Sequence, residues 1–224
     1  MSAGRVLFVG CGPGAPDLLT LRAVRAIAEA DVIVWNPMLL DEPVIAEHAR
    51  PDAELVVWPP ATQADILAAY DRAVTEGLLV VRLKGGDPTL FGELREDLRA
   101  VRDRGLQYEI VPGVSAVTAG AAALRREIAG RGAPLLLTHA VYGAADDAPG
   151  VVGVLGAGRD PEALARRLEA RGWPASTPCA VLVGVSRRGE IVVTCRLDEL
   201  AECIADHGSR ALVTVLVGPA PSGA

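Results

Sequence analysis

Apolar and polar positions follow one rhythm in the first half of this chain and another in the second. Short, mostly apolar runs occur at 5–10 (RVLFVG), 31–35 (DVIVW), 55–58 (LVVW), 78–83 (LLVVRL) and 108–111 (YEIV). Runs of this length, bounded by glycine, proline or acid, predict buried strands. Between them, 20–29, 63–76 and 92–104 carry apolar residues three and four apart, which predicts helices. In 63–76 the stripe is Ile66, Leu67, Ala69, Tyr70, Ala73 and Val74. Strands alternating with helices predict a parallel sheet. After a helix over 114–126, apolar runs at 134–138, 151–155, 179–185, 190–196 and 211–217 dominate, with helical spacing only at 160–171 and 197–206. The stretch 179–196 holds two such runs joined by the short polar SRRGE, and so predicts a hairpin. The expected fold is α/β in two domains, 1–112 with a mainly parallel sheet and 113–224 with a mixed one.

Composition narrows the setting. With 224 residues, half of them apolar, the chain is long enough for two small α/β domains with real cores. A net charge of −6 excludes general affinity for nucleic acid but leaves room for a local basic pocket. The four cysteines (Cys11, Cys179, Cys195, Cys203) show no metal-type spacing, and with only three histidines they predict no metal site. No signal-type start or long apolar run appears, so a cytoplasmic protein that does not enter membranes is expected.

Three glycine-bearing loops follow strand candidates: GCGPG (10–14), KGGDP (84–88) and VPG (111–113). The first lacks the third glycine of a dinucleotide loop, where Ala15 stands, and strand two ends in Asn36 where such folds place an acid. A tight turn with no ligand stays open as a reading of that loop, which alone does not decide. Loops leaving the carboxyl ends of strands in one sheet can, however, share one crevice. The small residues of 114–124 suit either close approach of a flat ligand or a packed helix buried between the domains. Asp87, before Pro88, either orients a ligand or caps its own turn.

The segments VGCGPGAPDLLTLRA, ADVIVWNPML, VVRLKGGDPTLFG and YEIVPGVSAVTAGAAAL, with a weaker continuation to 218, resemble the tetrapyrrole (corrin/porphyrin) methyltransferases. The resemblance implies two α/β domains, a homodimer, and S-adenosylmethionine (SAM) folded into a cleft between the domains, with S-adenosylhomocysteine as product. It implies donor contacts at Pro13, Gly85, Gly86, Asp87, Leu90, Ser115, Ala116, Leu155 and Gly184. A valine at Gly86 is then expected to fill the donor pocket and leave the fold intact. The implied partner is a small-molecule tetrapyrrole rich in carboxylates, for which Lys84, Arg125 and Arg126 are the candidate grips. Arg125 and Arg126 read equally well as a solvated helix end. Asn36 and His139 are candidate catalytic positions, and His139, at the end of an apolar run, is as well read as structural.

Residues 86–128 look most like the branch of the family that methylates precorrin-4 at C11. The VVRLKGGDP segment is similar to the uroporphyrinogen-III C-methyltransferases, which resemble this chain less at Asn36, where they carry Asp, and over 56–62, where they carry a basic residue. Two other classes stay open: a same-fold enzyme acting on a protein, and a SAM-binding protein without catalysis.

Overall fold

The computed structural model describes residues 4–91, 93–139, 150–207 and 212–218. The chain divides into two compact units, Met1–Ser115 and Ala116–Ala224, a few residues beyond the division at 112 expected from the sequence.

The first unit is a five-stranded sheet of β1 (Arg5–Gly10), β2 (Val32–Trp35), β3 (Glu54–Val57), β4 (Leu79–Lys84) and β5 (Gln107–Val111), in the order β3-β2-β4-β1-β5. All four pairings are parallel, as expected. Helices α1 (Leu21–Glu29), α2 (Glu42–His48), α3 (Gln63–Glu76) and α4 (Leu94–Asp103) connect the strands. Because side chains alternate along a strand, β1 sends Leu7 and Val9 to one apolar layer with Ala23, Ile27, Val44 and Ile45 of α1 and α2. Val6 and Phe8 go to the opposite layer with Ile66, Tyr70 and Val101 of α3 and α4. That two-sided burial is why β1 reads as an apolar run and β4 as one interrupted only by the buried Arg82. Local signals set the helix ends. Thr20 caps α1 by accepting from the Ala23 amide at 3.1 Å. A reciprocal Thr62–Asp65 capping box starts α3, and Gly77 in the left-handed conformation (φ 74°) ends it. Helix α2 goes beyond the expected elements: it has seven residues, begins at a proline turn and buries only Val44 and Ile45, too little for a visible period.

The second unit holds α5 (Ala116–Ala123) and a sheet of β6 (Leu135–His139), β7 (Val151–Leu155), β8 (Pro178–Val183), β9 (Ile191–Arg196) and β10 (Val213–Val217), in the order β6-β7-β10-β8-β9. Strands β6 and β7 are parallel, and the other pairings are antiparallel, so the sheet is mixed. The β8–β9 pair is the expected hairpin. Helices α6 (Pro161–Glu169) and α7 (Leu200–His207) cover one face with Leu164, Leu168, Leu200 and Ile204. Helix α5 lies on the other, and its small residues serve this packing. A Cβ on Gly120 would lie 2.4 Å from Leu182 Cδ1, and one on Gly153 would lie 3.2 Å from Val117 Cγ1.

Helix α5 stops short of the predicted 126. The Arg126 amide donates to Ala121 O (3.2 Å) and the Arg125 amide to Ala122 O (2.9 Å), with Arg125 at φ 55°. This is a Schellman ending with arginine in the position glycine usually takes.

Candidate active site

The three glycine loops of the first unit meet main chain to main chain. Since β1, β4 and β5 are parallel neighbours, their carboxyl ends lie at one edge of the sheet, and each loop starts there. Gly12 and Gly86 exchange hydrogen bonds, the Gly86 amide donating to Gly12 O at 2.8 Å and the Gly12 amide to Gly86 O at 3.3 Å. The Cys11 amide donates to Lys84 O at 2.8 Å. No side chain fits where they touch. A Cβ on Gly113 would lie 2.1 Å from Gly86 O and 2.9 Å from Gly10 Cα, and one on Gly10 would lie 2.6 Å from Gly86 O. Gly10 and Gly113 are not among the site positions that the resemblance implies; their only signal in the sequence is a glycine after each of three adjacent strands.

Asp87 ties this junction. Its Oδ1 accepts from the Thr89 amide (2.8 Å) and hydroxyl (2.6 Å), and its Oδ2 accepts from the Gly113 amide at 3.1 Å. Burial works to raise its pKa, but the Thr89 hydroxyl, the Thr89 amide and the Gly113 amide outweigh it and hold the carboxyl below its ordinary value. The capping role is therefore built into the structure. Leu90 closes the same turn, its amide donating to Asp87 O at 3.2 Å. Pro13 lies between Gly12 (φ 70°) and Gly14 (φ 139°), and Ser115, 7% exposed, follows the third loop. Gly85 abuts Leu39, whose Cδ2 a Cβ there would meet at 2.8 Å. Gly86 itself has φ 63°, so valine there strains the backbone as well as filling space, and the expectation of an undisturbed fold is corrected.

Two more expectations change in this unit. Lys84 is not free to grip a substrate carboxylate. Its side chain is only 12% exposed, and its Nζ lies 2.5 Å from Asp97 Oδ2. Desolvation, then repulsion from Arg82, lowers its pKa. Asn36 is not a proton acceptor. It carries a neutral amide, and its Oδ1 already accepts from the Met38 amide at 2.8 Å, closing the turn after β2. Trp35, at the end of β2, is buried with its indole N–H donating to Leu40 O at 2.7 Å.

In the second unit Leu155 and Gly184 come to one edge. Strands β7 and β8 both run antiparallel to β10 between them, Leu155 opposite Thr214 and Val183 opposite Val213. His139 pairs with Leu155 in register and stands over Gly156, where a Cβ would lie 2.7 Å from its Nε2. Ala116 opens α5. Beyond α5, Arg126, Arg131, Thr118, Ile128 and Leu135 line an open groove of about 640 Å³. The Nε of Arg126 is buried there without a hydrogen-bond partner among the described residues. Among the described residues no helix is long and apolar enough to cross a membrane.

A parallel sheet whose loops converge as main chain at its carboxyl edge, followed by a mixed α/β unit, defines the class of α/β proteins that bind small ligands at the carboxyl ends of their strands. Residues 5–201 match the Tetrapyrrole (Corrin/Porphyrin) Methylases, and the chain belongs to that family. It is 34% identical over 232 residues to a uroporphyrinogen-III C-methyltransferase of Paracoccus denitrificans, covering 96% of this chain and 80% of that one. It is 29% identical to a cobalt-precorrin-4 C(11)-methyltransferase of Methanocaldococcus jannaschii, covering 96% and 87%. Against siroheme synthases such as that of Methylococcus capsulatus (33% identical), the chain spans about half of the relative's length. The fold superimposes on cobalt precorrin-4 methyltransferase with a TM-score of 0.84 at 24% identity, covering 96% of this chain and 94% of that one. It superimposes on the Thermus thermophilus uroporphyrin-III C-methyltransferase complexed with S-adenosylhomocysteine at 0.79 and 30%, covering 96% and 97%. The chemistry is thus methyl transfer from SAM to a tetrapyrrole.

Proposed function

We propose that this protein is a C-methyltransferase of corrin synthesis whose acceptor is precorrin-4, methylated at C11. The observation that supports the donor half is the junction of Gly10, Gly12, Gly86 and Gly113, which locks the three loops main chain to main chain at the carboxyl edge of the sheet and so brings the residues flanking it to one place. Pro13, Gly85, Gly86, Asp87, Leu90 and Ser115 at that edge, with Ala116, Leu155 and Gly184, are the proposed donor contacts. SAM supplies an electrophilic methyl on a sulfonium. The protein's task is to hold the acceptor carbon in line with the S–CH₃ bond, an alignment worth up to about 7–11 kcal/mol.

Methylation of a ring carbon releases a proton. Of the two candidate positions only His139 has a group able to take it near neutral pH. Arg125 and Arg126 are the proposed grips for substrate carboxylates, the role no longer open to Lys84. A homodimer in the cytoplasm belongs to the same proposal, and light scattering checks the dimer.

Uroporphyrinogen III is the second reading, favoured by the 34% identity to an enzyme of that name. The deciding experiment incubates the protein with SAM and each acceptor separately and follows methyl addition by mass spectrometry. Methylation of uroporphyrinogen III with none of precorrin-4 replaces the first reading by the second.

A further inference from the structure

The loop from Gly85 to Glu93 leaves the sheet at Lys84 and returns to the fold at α4. Its two ends are joined by a buried ion cluster. Arg82 and Lys84, two apart on β4, point to the same side of the sheet. Asp97, in the first turn of α4 and 3% exposed, divides its oxygens between them. Oδ1 lies 2.6 Å from Arg82 Nη1, and Oδ2 lies 2.5 Å from Lys84 Nζ. Arg82 also donates to the Tyr70 hydroxyl at 3.3 Å, so α3 is held by the same group. Three elements are therefore pinned by one carboxylate directly beneath the loop that exchanges hydrogen bonds with Gly12 and accepts the Gly113 amide. Negative charge in the first turn of a helix is also favoured by the helix dipole. Removing it leaves two cations facing each other out of water, the costly half of a broken buried pair.

We infer that Asp97 is a positioning residue for the methyl donor. By clamping Lys84 at the exit of β4 to the first turn of α4, it fixes the Gly86–Asp87 turn against the Gly12 and Gly113 loops. The inference rests on the proposed reading of that turn as a donor contact. It goes beyond that reading by assigning donor affinity to a side chain that is buried away from the loop's surface.

The test is Asp97→Asn in the whole protein, which keeps the shape and removes the charge. Calorimetric titration with SAM gives affinity and stoichiometry separately, and amide hydrogen exchange follows Cys11, Gly86 and Gly113. The expected result is a Kd for SAM raised at least tenfold at unchanged stoichiometry, with faster exchange at those amides and unchanged exchange in β7, β8 and β10. A merely structural Asp97 would lower the stoichiometry through loss of folded protein and leave Kd where it was, which overturns the inference. Unchanged Kd with the three amides still protected overturns it as well, because the clamp then does not act on the loop. Released amides with unchanged Kd overturn it through its premise, showing that the loop does not touch the donor. Should Asp97→Asn precipitate, Lys84→Gln cuts one arm while Asp97 keeps Arg82. The same rise in Kd with released amides then supports the clamp, and an unchanged Kd overturns it.

Discussion

Replacing Gly113 by alanine tests the junction at its tightest point. The added methyl would lie 2.1 Å from Gly86 O, against main chain on both sides, so no rotamer change relieves it. Gly113 is not among the left-handed glycines, so the substitution adds no dihedral strain and the effect is purely steric. To reach a contact that real side chains tolerate, the loops must part by about 1 Å. That carries the Gly113 amide from 3.1 Å to beyond hydrogen-bond reach of Asp87 Oδ2. Overpacking of this kind costs about 1–3 kcal/mol. Loss of a hydrogen bond to a charged group costs about 1.5–3 kcal/mol. The sum, with some relaxation of the loops, is roughly 2–5 kcal/mol of stability. Urea unfolding measures that loss, and calorimetry should show SAM affinity reduced at least about tenfold, equivalent to ~1.4 kcal/mol. Gly105→Ala is the matched control. It sits at φ 67° with nothing within 4 Å of the new methyl. Backbone strain alone then costs about 1–2 kcal/mol, with donor affinity unchanged. A Gly113→Ala protein that unfolds and binds SAM like the parent would refute the reasoning.

Three further outcomes are expected. Arg125→Gly should raise stability by about 1 kcal/mol in thermal or urea unfolding by relieving the left-handed arginine that ends α5, while weakening tetrapyrrole binding more than SAM binding; a stabilised variant with undiminished acceptor affinity removes Arg125 from the substrate site. Burial, then the nearby Cys203, pushes the Cys179 and Cys195 thiols up to about 12. Alkylation of both in the folded protein at about pH 8 should therefore lag an unshifted thiol by about three orders of magnitude, and peptide mass spectrometry showing either labelled at the ordinary rate contradicts it. Asp65, held low mainly by the Thr62 amide, Asp71 by its hydrogen bond to Arg104, and Asp87 all sit below the ordinary carboxylate value when folded. The stability they add is present above that value and is lost as pH falls through their lowered ones, so the urea midpoint should drop between about pH 5 and 2; a flat or rising midpoint there is the contrary result.

The central strands β1, β2 and β4 were legible because burial on both faces leaves almost no polar position to interrupt an apolar run, and turn residues mark each end. The edge strands β3 and β5 keep exposed positions and showed only as short apolar cores between turns, and the hairpin from 179 to 196 showed through the short polar turn between its two runs. Helix α2 was not, since two buried residues set no period. At the site, the glycines announced themselves as types, but their mutual contact is a property of main chain and leaves no side-chain pattern to find. Lys84 was misjudged because its partner stands thirteen residues later on α4, where an acid in the first turn reads as an ordinary helix start. The small residues of α5 left two readings open, and the structure shows one of them, Gly120, serving packing on Leu182 within the second unit. The run predicted over 211–217 begins in a segment outside the described residues and continues as β10.

The Gly10–Gly86–Gly113 contact has a bearing on how such a catalyst can change over time. A contact made of peptide groups offers mutation little to adjust at its centre, where any added side chain breaks it. Variation is thereby channelled to side chains away from that contact, such as the proposed carboxylate grips Arg125 and Arg126, whose replacement leaves the joined peptide groups as they were.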